Sequence, residues 1–321
     1  MHDELPHQLP KLNIRWLQYF YEALSAGSIR GASDRLDIEP SVISRQIRQL
    51  EQKLETPLLE RHGRGVRATQ AGEILFDFYR EREVAEQTLL GRLAELDGLQ
   101  RGHINLSISE GYSDTLMSSV INRFCEQHPR LQIRLSIVSV NEVVRQVFEG
   151  LAHIGIAYSP RLMAGVRSVA TVRQPVCAIV NTDHPLNQRP LPLALNELMD
   201  WPLGLIDQGF GLRQLIDTVE IIEKCNFNAV LISNSLATLK QFVSTGLGVT
   251  FMTEVALHHE IKRGQLVALP IDHPVFAGAQ SHVIVRDQRP LPTAADQLLK
   301  EIVHMSPFTA PRISSGDWKT L

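Results

Sequence analysis

The 321-residue chain has no run of apolar residues long enough to cross a bilayer. Its first residues, MHDELPHQLPKL, have neither the basic start nor the apolar core of an export signal, so a cytoplasmic protein is expected. Cysteine is scarce: Cys125, Cys177 and Cys225 are odd in number and widely spaced, which fits reduced thiols and not a disulfide framework. No Cys-x-x-Cys or histidine-rich stretch occurs, and adjacent His258 and His259 would point about 100° apart on a helix, so a metal sensor is not indicated. Nothing near Cys225 in sequence would activate or resolve it, which argues against thiol sensing. Phosphate loops, nucleophile elbows and hydrolase triads are missing, and GFGLR at 209–213 is half of a dinucleotide fingerprint that a helix start explains. An enzyme is not expected and no cofactor is implied. The net charge of −3 does not advertise nucleic-acid binding, yet it averages over domains.

What is present centres on residues 28–67. Written as a helix, Ser41 to Leu54 places Ser41, Ser44, Arg45 and Arg48 on one face, and Ile43, Ile47, Leu50 and Leu54 on the other. Short hydroxyls and guanidinium forks suit the major groove of DNA, where Arg pairs bidentately with guanine. Alone, the same pattern also describes an ordinary amphipathic surface helix.

The flanks decide between them. Ile14, Leu17, Phe20, Tyr21 and Leu24 recur at helical spacing, Gly27-Ser28 supplies a stop and an N-cap, and Ala32 and Leu36 share the face of a second helix. A turn through Asp37 to Pro40 then leads into the third helix. The last two helices form a helix-turn-helix, in which the second enters the major groove. Downstream, Arg61, Arg64 and Arg67 occupy an acid-free, glycine-punctuated loop, RHGRGVR, which reads as a wing against phosphate or the minor groove. The expected DNA contacts are Ser41, Ser44 and Arg45 on bases or nearby phosphates, with Ser28, Arg30, Arg48, Arg61, Arg64 and Arg67 mainly on the backbone and minor groove, and Pro40 and Val42 also at the DNA-binding surface.

As an ordered set, LQYFYEAL, GSIRGASDRL, SRQIRQLEQKL and PLLERHGRGVRATQAG make the segment from Leu12 to Gly72 resemble the N-terminal domain of LysR-type transcriptional regulators. Two departures stand out. The family often has Gln-Pro where this chain has Pro40-Ser41, and glycine is usual where Glu55 follows the recognition helix.

Residues 70–98 lack proline and carry an apolar stripe of Leu75, Phe78, Ala85, Leu89, Leu93 and Leu96, predicting a long linker helix that pairs with a second copy or packs on its own chain. Beyond it, strand and helix patterns alternate, predicting two parallel-sheet lobes with helices around them. The expected division is a flexible arm over 1–11, a winged helix-turn-helix over 12–69, the helix over 70–98, an effector domain over 103–306 and a tail over 307–321. Lobe I takes 103–168 and 273–306, lobe II 169–272. This α/β plan resembles the periplasmic-binding-protein-like effector domain of LysR-type regulators, and the resemblance implies a homodimer or tetramer, a dyad promoter site on double-stranded DNA, a small-molecule effector and contact with RNA polymerase.

Ligands of such lobes lie beyond the carboxyl ends of the strands. The candidates there are Ser109, Glu110, Gly111, Tyr112, Ser139, Val140, Asn141 and Tyr158 in lobe I. Lobe II offers Asp207, Gln208, Gly209, Phe210, Arg213, Asn234, Ser235 and Thr250. Helix starts near Tyr112 and Asn141 favour an anionic or carboxylate ligand, whereas Glu110, if it faces the cavity, favours one carrying an ammonium, with Arg213 or a helix terminus taking any carboxylate. A solvated Glu110 at the mouth is the alternative. Two other classes remain open: an exported solute-binding module, which needs a signal peptide, and an enzyme, which needs a catalytic constellation.

Overall fold

The computed structural model describes residues 12–62, 65–96 and 102–309. It forms two compact units, 1–87 and 88–321, that divide within one long helix. In the first unit, α1 (Ile14–Ser25), α2 (Ile29–Leu36) and α3 (Pro40–Leu54) bury Leu17, Phe20, Ala23, Ala32, Ile43, Ile47 and Leu50 in one core. The Ser28 hydroxyl caps α2 by accepting from the Gly31 N–H at 3.0 Å, as its position before the helix predicts. Glu55 closes α3 in the left-handed region at φ 51°, so the helix ends as glycine would end it, without glycine's freedom from strain.

The expected wing loop is a hairpin: β1 (Leu59–His62) pairs antiparallel with β2 (Gly65–Ala68). Residues 63–64 at its tip, Arg64 among them, lie outside the described residues. The hairpin is fastened to the α1–α2 turn, where the Val66 N–H donates to the Gly27 carbonyl at 3.0 Å. A Cβ on Gly65 would lie 2.4 Å from that oxygen, so only glycine permits the approach. The helix α4 (Gln70–Leu96) follows, with Phe76 stacked on Tyr21. Its expected stripe splits: Leu75 is buried with Tyr79 in the first unit's own core, while Phe78, Leu89 and Leu93 are exposed. Residues 97–98 fall outside the described residues.

In the second unit the elements are β3 (Gly102–Ile108), α5 (Ser113–Leu116), α6 (Asn122–Gln127), β4 (Leu131–Ile137), α7 (Val140–Glu149), β5 (Ile154–Tyr158) and β6 (Val166–Arg173). There follow β7 (Cys177–Asn181), α8 (Leu195–Met199), β8 (Leu203–Ile206), α9 (Gly211–Glu223), β9 (Ala229–Ser233), α10 (Leu236–Ser244) and β10 (Val249–Met252). The last are α11 (His258–Lys262), β11 (Leu266–Pro270), α12 (Pro274–Ala277), β12 (Gln280–Arg286) and α13 (Thr293–Val303). Two five-stranded sheets result, ordered β4-β3-β5-β12-β6 and β9-β8-β10-β7-β11.

The expectation of purely parallel sheets is corrected. In each sheet the strand entered straight after a lobe crossing, β12 or β7, runs antiparallel to both neighbours. The lobe boundaries move as well. Because β6 pairs with β12 as far as Arg173, lobe I extends beyond 168. Strands β6 and β11 were not legible because each sits where the alternating pattern is interrupted by a crossing.

Candidate functional site

On the first unit, α3 presents Pro40, Ser41, Arg45 and Arg48 exposed, with Val42 and Ser44 half-buried beside them. Among the described residues, none forms an ion pair with Arg30, Arg45, Arg48 or Arg67. Arg67 is exposed on β2, across the ladder from Glu60, and Arg61 pairs with Val66 in backbone register. Ser28 is half-buried with its oxygen engaged in the α2 cap. The sequence reading missed Glu51, whose Oε1 accepts from the N–H groups of Leu58 (2.8 Å) and Leu59 (3.1 Å). One carboxylate thus ties the last turns of α3 to the entry of the wing. Its signal was available: an acid on the polar flank of α3, seven residues before a turn with backbone donors to satisfy.

In the second unit a cavity of about 50 Å³ lies between the strand ends of the two lobes. Six candidates line it: Ser109, Glu110, Gly111, Tyr112, Tyr158 and Phe210. Tyr112 and Tyr158 are buried, and burial pushes both phenols up, so they stay neutral. The Tyr112 hydroxyl pairs with Ser281, and Tyr158 donates to the Gln174 carbonyl at 2.9 Å. The Ser109 hydroxyl accepts from the Tyr158 N–H.

Other candidates are engaged elsewhere. Ser139 caps α7 by accepting from the Glu142 N–H, and the Val140 N–H donates to the Gly209 carbonyl at 3.3 Å. Asn141 accepts from Gln214 at 3.5 Å, while Gln208 and Asn234 are exposed. Thr250 is fully buried and donates to the Gly204 carbonyl at 2.6 Å, a link within the lobe II sheet and not a ligand group. Arg213 is corrected likewise: its guanidinium lies 2.6 Å from Asp217 and 3.7 Å from Glu220, both on its own helix. Asp207 is exposed and accepts from the Gln208 N–H.

Glu110 is half-buried and its carboxylate is already engaged across the cleft. Its carboxylate accepts from the Leu236 N–H, 3.1 and 3.0 Å to its two oxygens, with the Ser235 hydroxyl at 3.5 Å. Both partners stand at the start of α10 in the opposite lobe. Another close approach is at Gly211, the first residue of α9, where a Cβ would lie 1.9 Å from the Tyr158 carbonyl oxygen. The lining that sequence reading missed is mostly apolar: Ile206, Leu212, Leu236, Met252 and Ala256, with Thr253 and Gly211. Ile206 and Met252 end strands as the recognised candidates do, but they carry no polar group to mark them.

The sequence model described as "LysR substrate binding domain" matches residues 97–306, and that described as "Bacterial regulatory helix-turn-helix protein, lysR family" matches 14–73. The chain belongs to the LysR family. It is a transcription regulator with a DNA-binding head and an effector-binding domain. It is 25% identical over 322 residues to a "Probable RuBisCO transcriptional regulator" of Trichormus variabilis, covering 98% of this chain and 91% of that one. A "Probable nitrogen assimilation transcriptional activator" of Synechococcus elongatus is 26% identical, covering 88% of this chain and 91% of the relative. Among solved structures, a full-length variant of OxyR from Pseudomonas aeruginosa shares the fold with a TM-score of 0.64 at 19% identity, covering 92% and 96% of the two chains. Full-length CbnR complexed with its target DNA matches with a TM-score of 0.62 at 16% identity, covering 91% and 99%.

In this LysR-family regulator the Cys177 and Cys225 thiols are both held away from the thiolate form. Burial, then Glu254, pushes Cys177 up to about 12, and burial with Glu220 and Glu223 raises Cys225. Cys125 is exposed on α6. No helix among the described residues is long and apolar enough to cross a membrane.

Proposed function

We propose that this regulator reads a dyad promoter site in double-stranded DNA as a homodimer or tetramer, in the cytoplasm, with no catalytic step of its own. Ser41, Ser44 and Arg45 meet bases or the phosphates beside them, with Pro40 and Val42 at the entry of α3. Ser28, Arg30, Arg48, Arg61, Arg64 and Arg67 serve the backbone and the minor groove. The observation that carries this reading is the outward face of α3, where Arg45 and Arg48 stand exposed and without ion-pair partners among the described residues. Charges left unpaired on one face of a helix suit an anionic polymer. The exposed Phe78, Leu89 and Leu93 of α4 support pairing with a second copy, since an apolar row needs cover.

A small-molecule effector enters between the lobes, against Ser109, Glu110, Gly111, Tyr112, Tyr158 and Phe210. The donors at the start of α10 favour an acceptor group on it, a carboxylate first, while an ammonium would find Glu110 already engaged. Binding shifts the lobes, the shift alters how copies pack, and the spacing of the heads on DNA follows, with contact to RNA polymerase as the output.

The test is fluorescence anisotropy with the DNA upstream of the protein's own coding sequence and with scrambled DNA, across a salt series. A preference of about 10³ or more at physiological salt supports sequence-specific regulation at that site. Equal, steeply salt-dependent binding to both sends the search for the site to genome-wide selection of bound fragments.

A further inference from the structure

The effector cleft is narrow. Its cavity of about 50 Å³ admits one or two waters, whereas small-molecule sites commonly measure about 300–1,000 Å³. What fills the difference is partly the protein itself. Glu110 follows β3 of lobe I and reaches across to α10 of lobe II, where its two oxygens share the Leu236 N–H and its Oε1 faces the Ser235 hydroxyl. A carboxylate at the start of a nine-residue helix meets a backbone donor and the positive end of the helix dipole together. One turn further along α10, Lys240 lies 3.8 Å from Asp114 of lobe I and 3.1 Å from Glu260 of its own lobe. Two lobe I carboxylates, Glu110 and Asp114, therefore meet one lobe II helix across the cleft, the first at the start of α10 and the second a turn later.

We propose that Glu110 is an internal ligand of the effector cleft, a latch that holds the lobes closed without effector and that a bound effector displaces from the start of α10. This rests on the reading of the cleft as the effector site. Displacement links two events that would otherwise be separate, since a molecule cannot take the Leu236 N–H without releasing lobe I from α10. The apolar lining around the latch, Ile206, Leu212, Leu236 and Met252, makes the donor scarce, so Glu110 and an incoming acceptor compete for the same group.

The experiment is thermal unfolding of the full-length protein and of Glu110→Ala, Glu110→Gln and Leu236→Pro, in chloride, acetate or acetamide at equal ionic strength. Truncating Glu110 leaves a carboxylate-sized gap above a free donor. In chloride, Glu110→Ala is expected to unfold about 2–4 °C below the parent. Acetate should recover most of that loss and acetamide little of it, while the parent responds to neither. Glu110→Gln should lose less and ignore acetate, because its amide still occupies the seat. Leu236→Pro removes the donor at a helix position that tolerates proline, so it should lose stability with no recovery by acetate. It also keeps the test decisive if Glu110→Ala does not accumulate. Unchanged unfolding of Glu110→Ala, equal effects of acetate on parent and variant, or equal rescue by acetamide would each overturn the latch. All of these are read without DNA, so they stand apart from the anisotropy test of the regulatory reading.

Discussion

The DNA-reading head and the effector cleft handle polar groups in opposite ways. On α3 the arginines point outward and are left for a partner, whereas around the cleft nearly every candidate polar side chain is already satisfied within the protein. The head keeps its surface chemistry ready for a polyanion that is always present. The cleft keeps its chemistry internally paired, so a ligand must exchange with existing bonds and not simply add to them.

The largest effect should come from breaking the contact between lobes. Gly211→Ala puts a methyl where the Tyr158 carbonyl stands, and we expect a loss of about 3 kcal/mol or more in the second unit's stability, read by calorimetry, with the first unit's transition unmoved. In the head, Arg45→Ala should weaken binding to the specific site by roughly 1–3 kcal/mol and leave random DNA nearly unaffected. Equal loss on both would remove Arg45 from base readout. Arg67→Ala sharpens the contrast, since it should weaken all sequences alike and lower the slope of log K against log salt by about one.

Glu51→Gln tests whether the carboxylate brace between α3 and the entry of the wing matters. Losing a charge-assisted acceptor for two N–H groups should cost on the order of 1–2 kcal/mol in the head's stability. If Glu51 positions the wing, the salt slope of DNA binding also falls, which simple destabilisation would not cause.

A separate effect is in pH. Burial, then neighbouring His103 and Arg289, pushes His153 down to about 4, and its Nδ1 accepts from the Asn105 N–H at 3.0 Å. The folded form therefore resists a proton that the unfolded chain takes up near 6.5. Its contribution is complete above about 6.5 and is lost as pH falls toward 4, with a slope of at most about 1.4 kcal/mol per pH unit. Denaturant midpoints against pH should show this slope in the second unit, flattened by His153→Asn.

The same contrast sets what the sequence could reveal. The head was legible because one helix repeat sorts Ile43, Ile47 and Leu50 inward and Ser41, Arg45 and Arg48 outward, within fifteen consecutive residues. The parallel core strands and the order of the lobes followed from alternation in the same way. The cleft draws on strand ends more than a hundred residues apart, as with Glu110 and Leu236, and no local pattern says that one will cap the other's helix. Strand-end position did find Tyr158 and Phe210. It also selected Thr250, which stands second in β10 and not at its carboxyl end, so that its hydroxyl turns back to the Gly204 carbonyl within the sheet while Met252 reaches the cavity.

The two lobe crossings run side by side. Arg173 pairs with Gln280 at one end and Cys177 with Pro270 at the other, and between them the Gln174 N–H bonds the Ala279 carbonyl while the Val176 N–H bonds that of Phe276. The lobes are thus joined by a short stitched ribbon and not by two independent threads. Such a ribbon twists and bends far more easily than it stretches or shears, so relative movement reduces to something close to a single angle. Tyr158, on the cavity wall, holds the Gln174 carbonyl of that ribbon. A molecule that moves one phenol ring therefore has its hand on the spine of the book.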